Sequence, residues 1–169
     1  MKKFFRLFYI FTLVVLVGCS TKIEGPGIYA NIVINEVLPK NTRYGSDENG
    51  KFNDWIELYN LSGQDIDLTG CYLTDSKKDL TKWKFPDGTI IGKNGFLIVW
   101  ADGVTNSTGL HANYKLSADG ENIVLVTPDQ EIIDMVEYPA TTTEQSYARI
   151  PNGTGDFTWT TPTFRKSNQ

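Results

Sequence analysis

An all-β sandwich is the fold class that the sequence predicts, and three observations predict it. Apolar and polar residues alternate with a period of two along most of the chain, as they do in half-buried strands. Turn-forming pairs such as Asn49-Gly50 and Asp87-Gly88 separate the alternating runs. Residues 96–100 and 123–126 are apolar on both faces, which favours two packed sheets over one open sheet.

The first segment, residues 1–18, is typical of a secretion signal. Lys2, Lys3 and Arg6 are followed by an apolar run at residues 7–17 and then by a small residue, Gly18. This run has 11 residues, whereas a membrane-spanning helix needs about 20. The sequence therefore predicts a cleaved leader rather than a membrane span.

The residue after the predicted cut is a cysteine. Leu16-Val17-Gly18-Cys19 resembles the lipobox of bacterial lipoproteins, in which the cysteine thiol is acylated and the preceding peptide is removed. We expect a covalent lipid on Cys19 and a location in a bacterial cell envelope. Ser20 is not the aspartate of an inner-membrane retention signal, which favours the outer membrane and leaves the side of the membrane open. An ordinary signal peptide that ends before a cysteine by chance is the alternative.

Residues 19–30 form a predicted lipidated tether with Gly-Pro-Gly punctuation, and the folded domain follows at residues 31–165. A C-terminal tail covers residues 166–169. Seven or more short strands, each followed by a turn, predict an immunoglobulin-like β-sandwich. In chain order, the alternating apolar positions are Ile32/Ile34, Ile56/Leu58, Cys71/Leu73, Trp83/Phe85, Phe96/Ile98/Trp100, Ile123/Leu125 and Ile133/Met135.

Charge and cysteine content exclude several classes of protein. The chain has a formal net charge of −4, which becomes −7 when the three basic residues of the leader are removed. An acidic domain repels phosphate backbones, so we expect no nucleic-acid partner. With Cys19 lipidated, Cys71 has no internal disulfide partner, and its strand context predicts a small buried residue.

The order of residues in the middle of the chain resembles the lamin tail domain, and its bacterial branch in particular. The resemblance covers residues 31–165 and rests on the segments Asp54-Trp55-Ile56-Glu57-Leu58-Tyr59-Asn60, 67–75, 83–86, 90–103 and 110–125. It implies an immunoglobulin-like binding or scaffolding module without established catalytic residues. Cys71 stands where bacterial members often have tryptophan. Phe164-Arg165 stands where the family usually has Pro-Gly, which predicts a less tight last turn.

Candidate catalytic groups are few. His111 is the only histidine, and a Ser-His-Asp arrangement would have to use it. Its alternating context favours a hydrogen-bonded strand residue. Glu36 and Glu57 are expected on neighbouring strands, and paired carboxylates hydrolyse glycosides. Because Glu57 alternates with Ile56 and Leu58, we expect it to face solvent, and we predict no enzyme activity.

One loop has the composition of a weak calcium site. Asp47, Asn49 and Asp54 supply oxygen ligands around Gly50. The complete ligand spacing of an EF-hand is missing, and a polar hairpin turn is the alternative. We therefore expect no cofactor besides the covalent lipid on Cys19, with calcium at this loop as a weak alternative.

Two aromatic residues mark a candidate binding face. Trp55 and Tyr59 lie on the side of their strand opposite Ile56 and Leu58. On a solvent-facing sheet they would form a platform for sugar rings or a docking patch for a protein. On a second buried face they would only pack.

Together these expectations describe a lipid-anchored, non-enzymatic envelope protein that acts in adhesion, scaffolding or recognition. Its expected partners are the membrane, through the lipid, and a protein or glycan of the envelope. A carbohydrate- or calcium-dependent binding accessory to a secreted enzyme system is the first alternative. A small carboxylate-based hydrolase is the second.

Overall fold

The computed structural model describes residues 26–141 and 144–169 and confirms the all-β prediction. A short 3-10 helix, Gly27–Asn31, precedes the strands. The strands are β1 Ile32–Leu38, β2 Trp55–Asn60, β3 Ile66–Asp67, β4 Tyr72–Thr74, β5 Trp83–Lys84, β6 Ile90–Ile91, β7 Phe96–Ala101, β8 His111–Ala112, β9 Gly120–Val126, β10 Ile132–Pro139, β11 Ser146–Ile150 and β12 Asp156–Thr160. Within the described residues, no helix is long and apolar enough to cross a membrane.

The strands form two main sheets and a small ribbon. The large sheet has the order β12-β11-β1-β2-β7-β8, and the small sheet has the order β10-β9-β4-β5. Strands β3 and β6 form a separate ribbon. The inward-facing side chains of both sheets share one core, which includes Ile34, Leu58, Leu73 and Leu125. This arrangement confirms the predicted immunoglobulin-like sandwich.

Cys71 lies in that core with no exposed surface, as its strand context predicts. Burial raises the pKa of its thiol to about 11. A thiol with so high a pKa is a weak nucleophile at neutral pH. Cys71 therefore has a packing role.

The direction of β1 defines two poles of the sandwich. At one pole, which we call the tether pole, Ile32 of β1 pairs with Asn60 of β2. At the other pole, which we call the loop pole, Leu38 pairs with Trp55, and Trp55 pairs with Trp100 of β7. Seven residues of strand separate the poles by about 20 Å, since each residue adds about 3.3 Å. Loops 39–54 and 102–110 both extend from the loop pole.

The outer face of the large sheet is covered by the C-terminal segment 161–169. Glu57 lies on this outer face and is completely buried, so the prediction that it faces solvent is wrong. Strand periodicity identified the face correctly but gave no sign of the segment that covers it. The backbone N–H of Arg165 donates to Oε2 of Glu57 at 2.6 Å.

The C-terminal segment bends at Phe164 and Arg165. Phe164 and Arg165 both adopt left-handed conformations, with φ of 46° and 60°. Two consecutive left-handed residues are typical of a type I′ turn. Residues 164–166 form a bend without the hydrogen bond of a closed turn, and the looser last turn expected in the absence of Pro-Gly stays a prediction. The Phe164 ring packs between Trp55 and Trp100, and this contact offsets the strain of the two residues.

Candidate functional site at the loop pole

His111 is the centre of a polar cluster at the loop pole. It lies in β8, beside Trp100 of β7, and its side chain is only 3% exposed. Its Nδ1 lies 2.9 Å from Oδ2 of Asp102, and its Nε2 lies 3.2 Å from Oε2 of Glu48. His111 is thus a hydrogen-bonded strand residue, as the sequence predicts, but both of its nitrogens face carboxylates.

Loop 39–54 brings Asp47 to the same cluster. Oδ1 of Asp47 accepts the backbone N–H groups of Asn49 and Lys51, each at 2.8 Å. These bonds form a turn in which Gly50 adopts a φ of 74°, a conformation that glycine adopts without strain. The turn therefore fixes the Asp47 carboxylate from within its own loop.

Asn53 connects the two loops. Its Nδ2 donates to Oδ2 of Asp47 at 2.9 Å and to Oδ2 of Asp102 at 3.1 Å. Each of Asp47, Asp102 and His111 offers a ligand atom, and these atoms all lie within 4.8 Å of one another. Residues that are far apart in the sequence thus form one possible ligand set.

The electrostatics of this cluster favour a cation. Burial lowers the pKa of His111, but hydrogen bonds and charges from Asp102 and Glu48 outweigh burial and raise the pKa above its ordinary value.

The Glu48 carboxylate has room beside His111 because residue 109 is a glycine. A Cβ atom at Gly109 would overlap the Glu48 carboxylate, and the φ of +95° is also one that few other residues adopt.

The three predicted calcium ligands, Asp47, Asn49 and Asp54, do not form a common site. Oδ1 of Asp54 accepts the backbone N–H of Asn41 at 3.0 Å and so anchors the start of the loop. Asn49 is exposed on the turn. Of the three predicted ligands, only Asp47 belongs to the cluster with Asp102 and His111. No local sequence pattern indicates this grouping, because its members come from three separate segments.

The aromatic pair Trp55 and Tyr59 divides between two environments. Trp55 is completely buried in a second apolar cluster with Leu38, Ile98 and Trp100. Its Nε1 donates to the carbonyl of Tyr44 at 2.9 Å. Tyr59 is half-buried, with its ring 4.8 Å from that of Phe96. Trp55 therefore packs in the protein interior, which is the second of the two roles that the sequence allowed for this pair.

Glu36 and Glu57 are directly opposite each other on β1 and β2, which confirms their predicted proximity. Both are completely buried. Oε1 of Glu36 accepts the backbone N–H of Thr163 at 2.9 Å, and Oε1 of Glu57 accepts from Nδ2 of Asn35 at 3.0 Å. Their carboxylates fix the C-terminal segment to the sheet and lie beneath it, away from solvent.

The surroundings of His111 also differ from those of a catalytic histidine. In a Ser-His-Asp arrangement, one ring nitrogen faces an acid and the other faces a hydroxyl. In this chain Nδ1 faces Asp102, whereas Nε2 faces the carboxylate of Glu48. The cluster is therefore built for charge rather than for nucleophile activation.

Cys19, the predicted lipidation site, lies outside the described residues, as do the predicted leader 1–18 and most of the tether. Asn168 lies in the predicted tail and is buried, and its Nδ2 donates to the carbonyl of Asn35 at 3.2 Å. The folded unit thus continues almost to the last residue.

Comparison with known families agrees with this architecture. Residues 28–140 match the Lamin Tail Domain family. Among curated proteins, none matches the chain. The matched region ends before β11 and β12, which complete the large sheet: β11 pairs with β1, and β12 pairs with β11. Members of this family are immunoglobulin-like structural and interaction modules. With two thirds of its length matched and the sandwich in place, the chain belongs to the lamin tail domain family.

Proposed function

We propose that this chain is a lipid-anchored, non-enzymatic interaction module of a bacterial cell envelope. Two features support the proposal: the lipobox-like Leu16-Val17-Gly18-Cys19 and a domain from a family of interaction modules. A lipid on Cys19 would keep the domain near its membrane, because residues 20–29 reach at most about 35 Å.

The separation of the two poles is the observation that carries the proposal. The chain enters the sandwich at Ile32, at the tether pole, whereas loops 39–54 and 102–110 lie at the opposite end of β1. A lipid at Cys19 would hold the tether pole towards the membrane. The loop pole would then be presented to the surroundings, as interaction modules commonly present their loops.

The loop pole has the surface chemistry of a protein-binding site. Phe52 is 47% exposed and Val104 is 41% exposed. A shallow depression of about 150 Å³ lies between the two loops and is lined by Phe52, Asn53, Asp54, Ala101, Asp102 and Lys115. The exposed Phe52 ring beside this depression would give a protein partner an apolar contact.

Fatty-acid labelling tests the anchor. We expect the wild-type chain, expressed in bacteria with a labelled fatty acid, to carry the label and to sediment with membranes. Cys19→Ala should lose the label, because no acylated thiol remains. Cys71→Ala is the matched control, since Cys71 is the only other cysteine and is buried. A labelled Cys19→Ala chain would overturn the proposal.

A further inference from the structure

His111 has one more carboxylate contact than a neutral imidazole can satisfy. A neutral ring carries a single N–H, yet Asp102 and Glu48 lie 2.9 Å and 3.2 Å from its two nitrogens. In one of these two contacts, the lone pair of a ring nitrogen would face a carboxylate oxygen and repel it, unless a positive charge lies on or beside the ring. A second proton on the ring supplies that charge, and so does a metal ion bound to one nitrogen.

The two sides of the ring differ in what they offer to a metal ion. On the Nδ1 side, Asp102 is close, and the bridging amide of Asn53 brings the Asp47 carboxylate towards Asp102. On the Nε2 side stands Glu48, which is 42% exposed. Metal-bound histidines usually donate their other N–H to a carboxylate, which fixes the ring orientation. Glu48 is in the position of that carboxylate.

Local charge also favours a cation. Within residues 26–141 and 144–169, no ion pair joins a lysine or arginine to Asp47, Glu48 or Asp102. Lys115 lines the neighbouring depression together with Asp102. The side chain of Asp102 is only 9% exposed, and the Asp47 carboxylate beside it has the same charge, so the two repel each other. A divalent ion would offset this repulsion.

We propose that Asp47, Asp102 and Nδ1 of His111 bind a divalent ion of the zinc type, with Glu48 as the acceptor that orients the ring. Zinc binds imidazole nitrogen and carboxylate oxygen at about 2.0–2.2 Å and often takes three protein ligands and one exchangeable ligand. The ligand atoms lie within 4.8 Å of one another, whereas tetrahedral ligands at about 2.1 Å from the ion are about 3.4 Å apart. Binding would therefore draw the two loops together and displace the Asn53 amide from between Asp47 and Asp102. Binding would lock loop 39–54 to β8. This proposal is independent of the lipid anchor.

Calorimetry of the full-length chain in detergent, after treatment with a chelator, tests the proposal. We expect zinc chloride to bind with a stoichiometry of one ion per chain. Because the chain has a single histidine, its Hε1 resonance reports directly on the ligand. Zinc should shift that resonance, whereas calcium, which prefers oxygen ligands, should not.

Variants separate this site from adventitious binding. Asp102→Asn should weaken zinc binding more than about 100-fold, because even the partners of ligands contribute about 10–100-fold. Asp87→Asn, the same change on an exposed turn, should bind as the wild type does. Circular dichroism confirms that each variant is folded. If zinc fails to shift the wild-type His111 resonance, or if folded Asp102→Asn binds zinc as tightly as Asp87→Asn, the proposal is wrong.

Discussion

Glu57 illustrates how a single buried carboxyl group links the large sheet to the C-terminal segment that covers it. Its two oxygens accept hydrogen bonds from Asn35 and Arg165. Burial, opposed by the Asn35 hydrogen bond and reinforced by the nearby Glu36, raises the pKa of Glu57 from 4.5 to about 7. The native state therefore holds a proton that the unfolded chain has already released at pH 6.

This shift predicts a pH dependence of stability. A raised pKa means that Glu57 favours the folded state fully below pH 4.5, and that this contribution disappears as the pH rises to about 7. The loss amounts to about 3 kcal/mol. Urea unfolding between pH 4.5 and 8 measures it as the difference between the wild type and Glu57→Gln, which cannot titrate.

The free energy of unfolding of the wild type should fall relative to that of Glu57→Gln as the pH rises. Glu131→Gln, an exposed change elsewhere, is the control and should follow the wild type at every pH. If the free energy of unfolding of Glu57→Gln depends on pH as that of the wild type does, Glu57 does not carry the proton.

At the scale of elements, the C-terminal segment 161–169 acts as a strap across the large sheet. Thr163 and Arg165 donate their backbone N–H groups to Glu36 and Glu57. The Phe164 ring lies 5.6 Å from that of Trp55 and 5.7 Å from that of Trp100, measured between centroids. The strap thus supplies both the hydrogen bonds and the apolar contacts that bury the outer face.

Phe164→Ala should destabilise the chain by about 2–4 kcal/mol, because loss of a packed aromatic ring leaves a cavity beside Trp55 and Trp100. Urea unfolding followed by tryptophan fluorescence measures the effect, and the native emission should shift to longer wavelength as water reaches these rings.

Arg165→Gly is the comparison variant. Glycine adopts a φ of 60° without the cost of about 1 kcal/mol borne by other residues, so this variant should be at least as stable as the wild type. Equal stability of Phe164→Ala and the wild type would show that the strap does not depend on the ring.

At the scale of the whole molecule, the two poles differ in what they expose. The tether pole receives the chain through the helix Gly27–Asn31, where Ile28 is 66% exposed. The loop pole carries Phe52, the depression and the His111 cluster. In an interaction module anchored at Cys19, the loop pole is the surface that a partner can reach.

A photo-cross-linking residue placed at position 52 should therefore yield discrete cross-linked products in intact cells. The same residue at position 28 should yield few, although Ile28 is more exposed than Phe52. Gel analysis after illumination, with detection of the chain, makes the comparison. Stronger cross-linking to protein at position 28 would place the binding surface at the other pole.

The sequence predicted the architecture because strand alternation and turn chemistry are local signals. Ile56 and Leu58 on one face of β2, and Asn49-Gly50 in a turn, can be recognised without knowledge of the fold. Local signals also placed Glu36 near Glu57, as the register of β1 and β2 confirms. They gave the wrong environment for Glu57, because the residues that cover it come more than 100 positions later.

By itself, then, the sequence determined the sandwich, its family and the lipobox-like motif at Cys19, each of which depends on neighbouring or regularly spaced residues. Tertiary structure alone decided that Asp47, Asp102 and His111 meet and that the strap buries Glu57. It also decided that loops 39–54 and 102–110 lie at the end of β1 opposite Ile32. These features depend on contacts between distant segments. Such contacts form only when burial of apolar surface brings the two sheets together, and no local pattern encodes them.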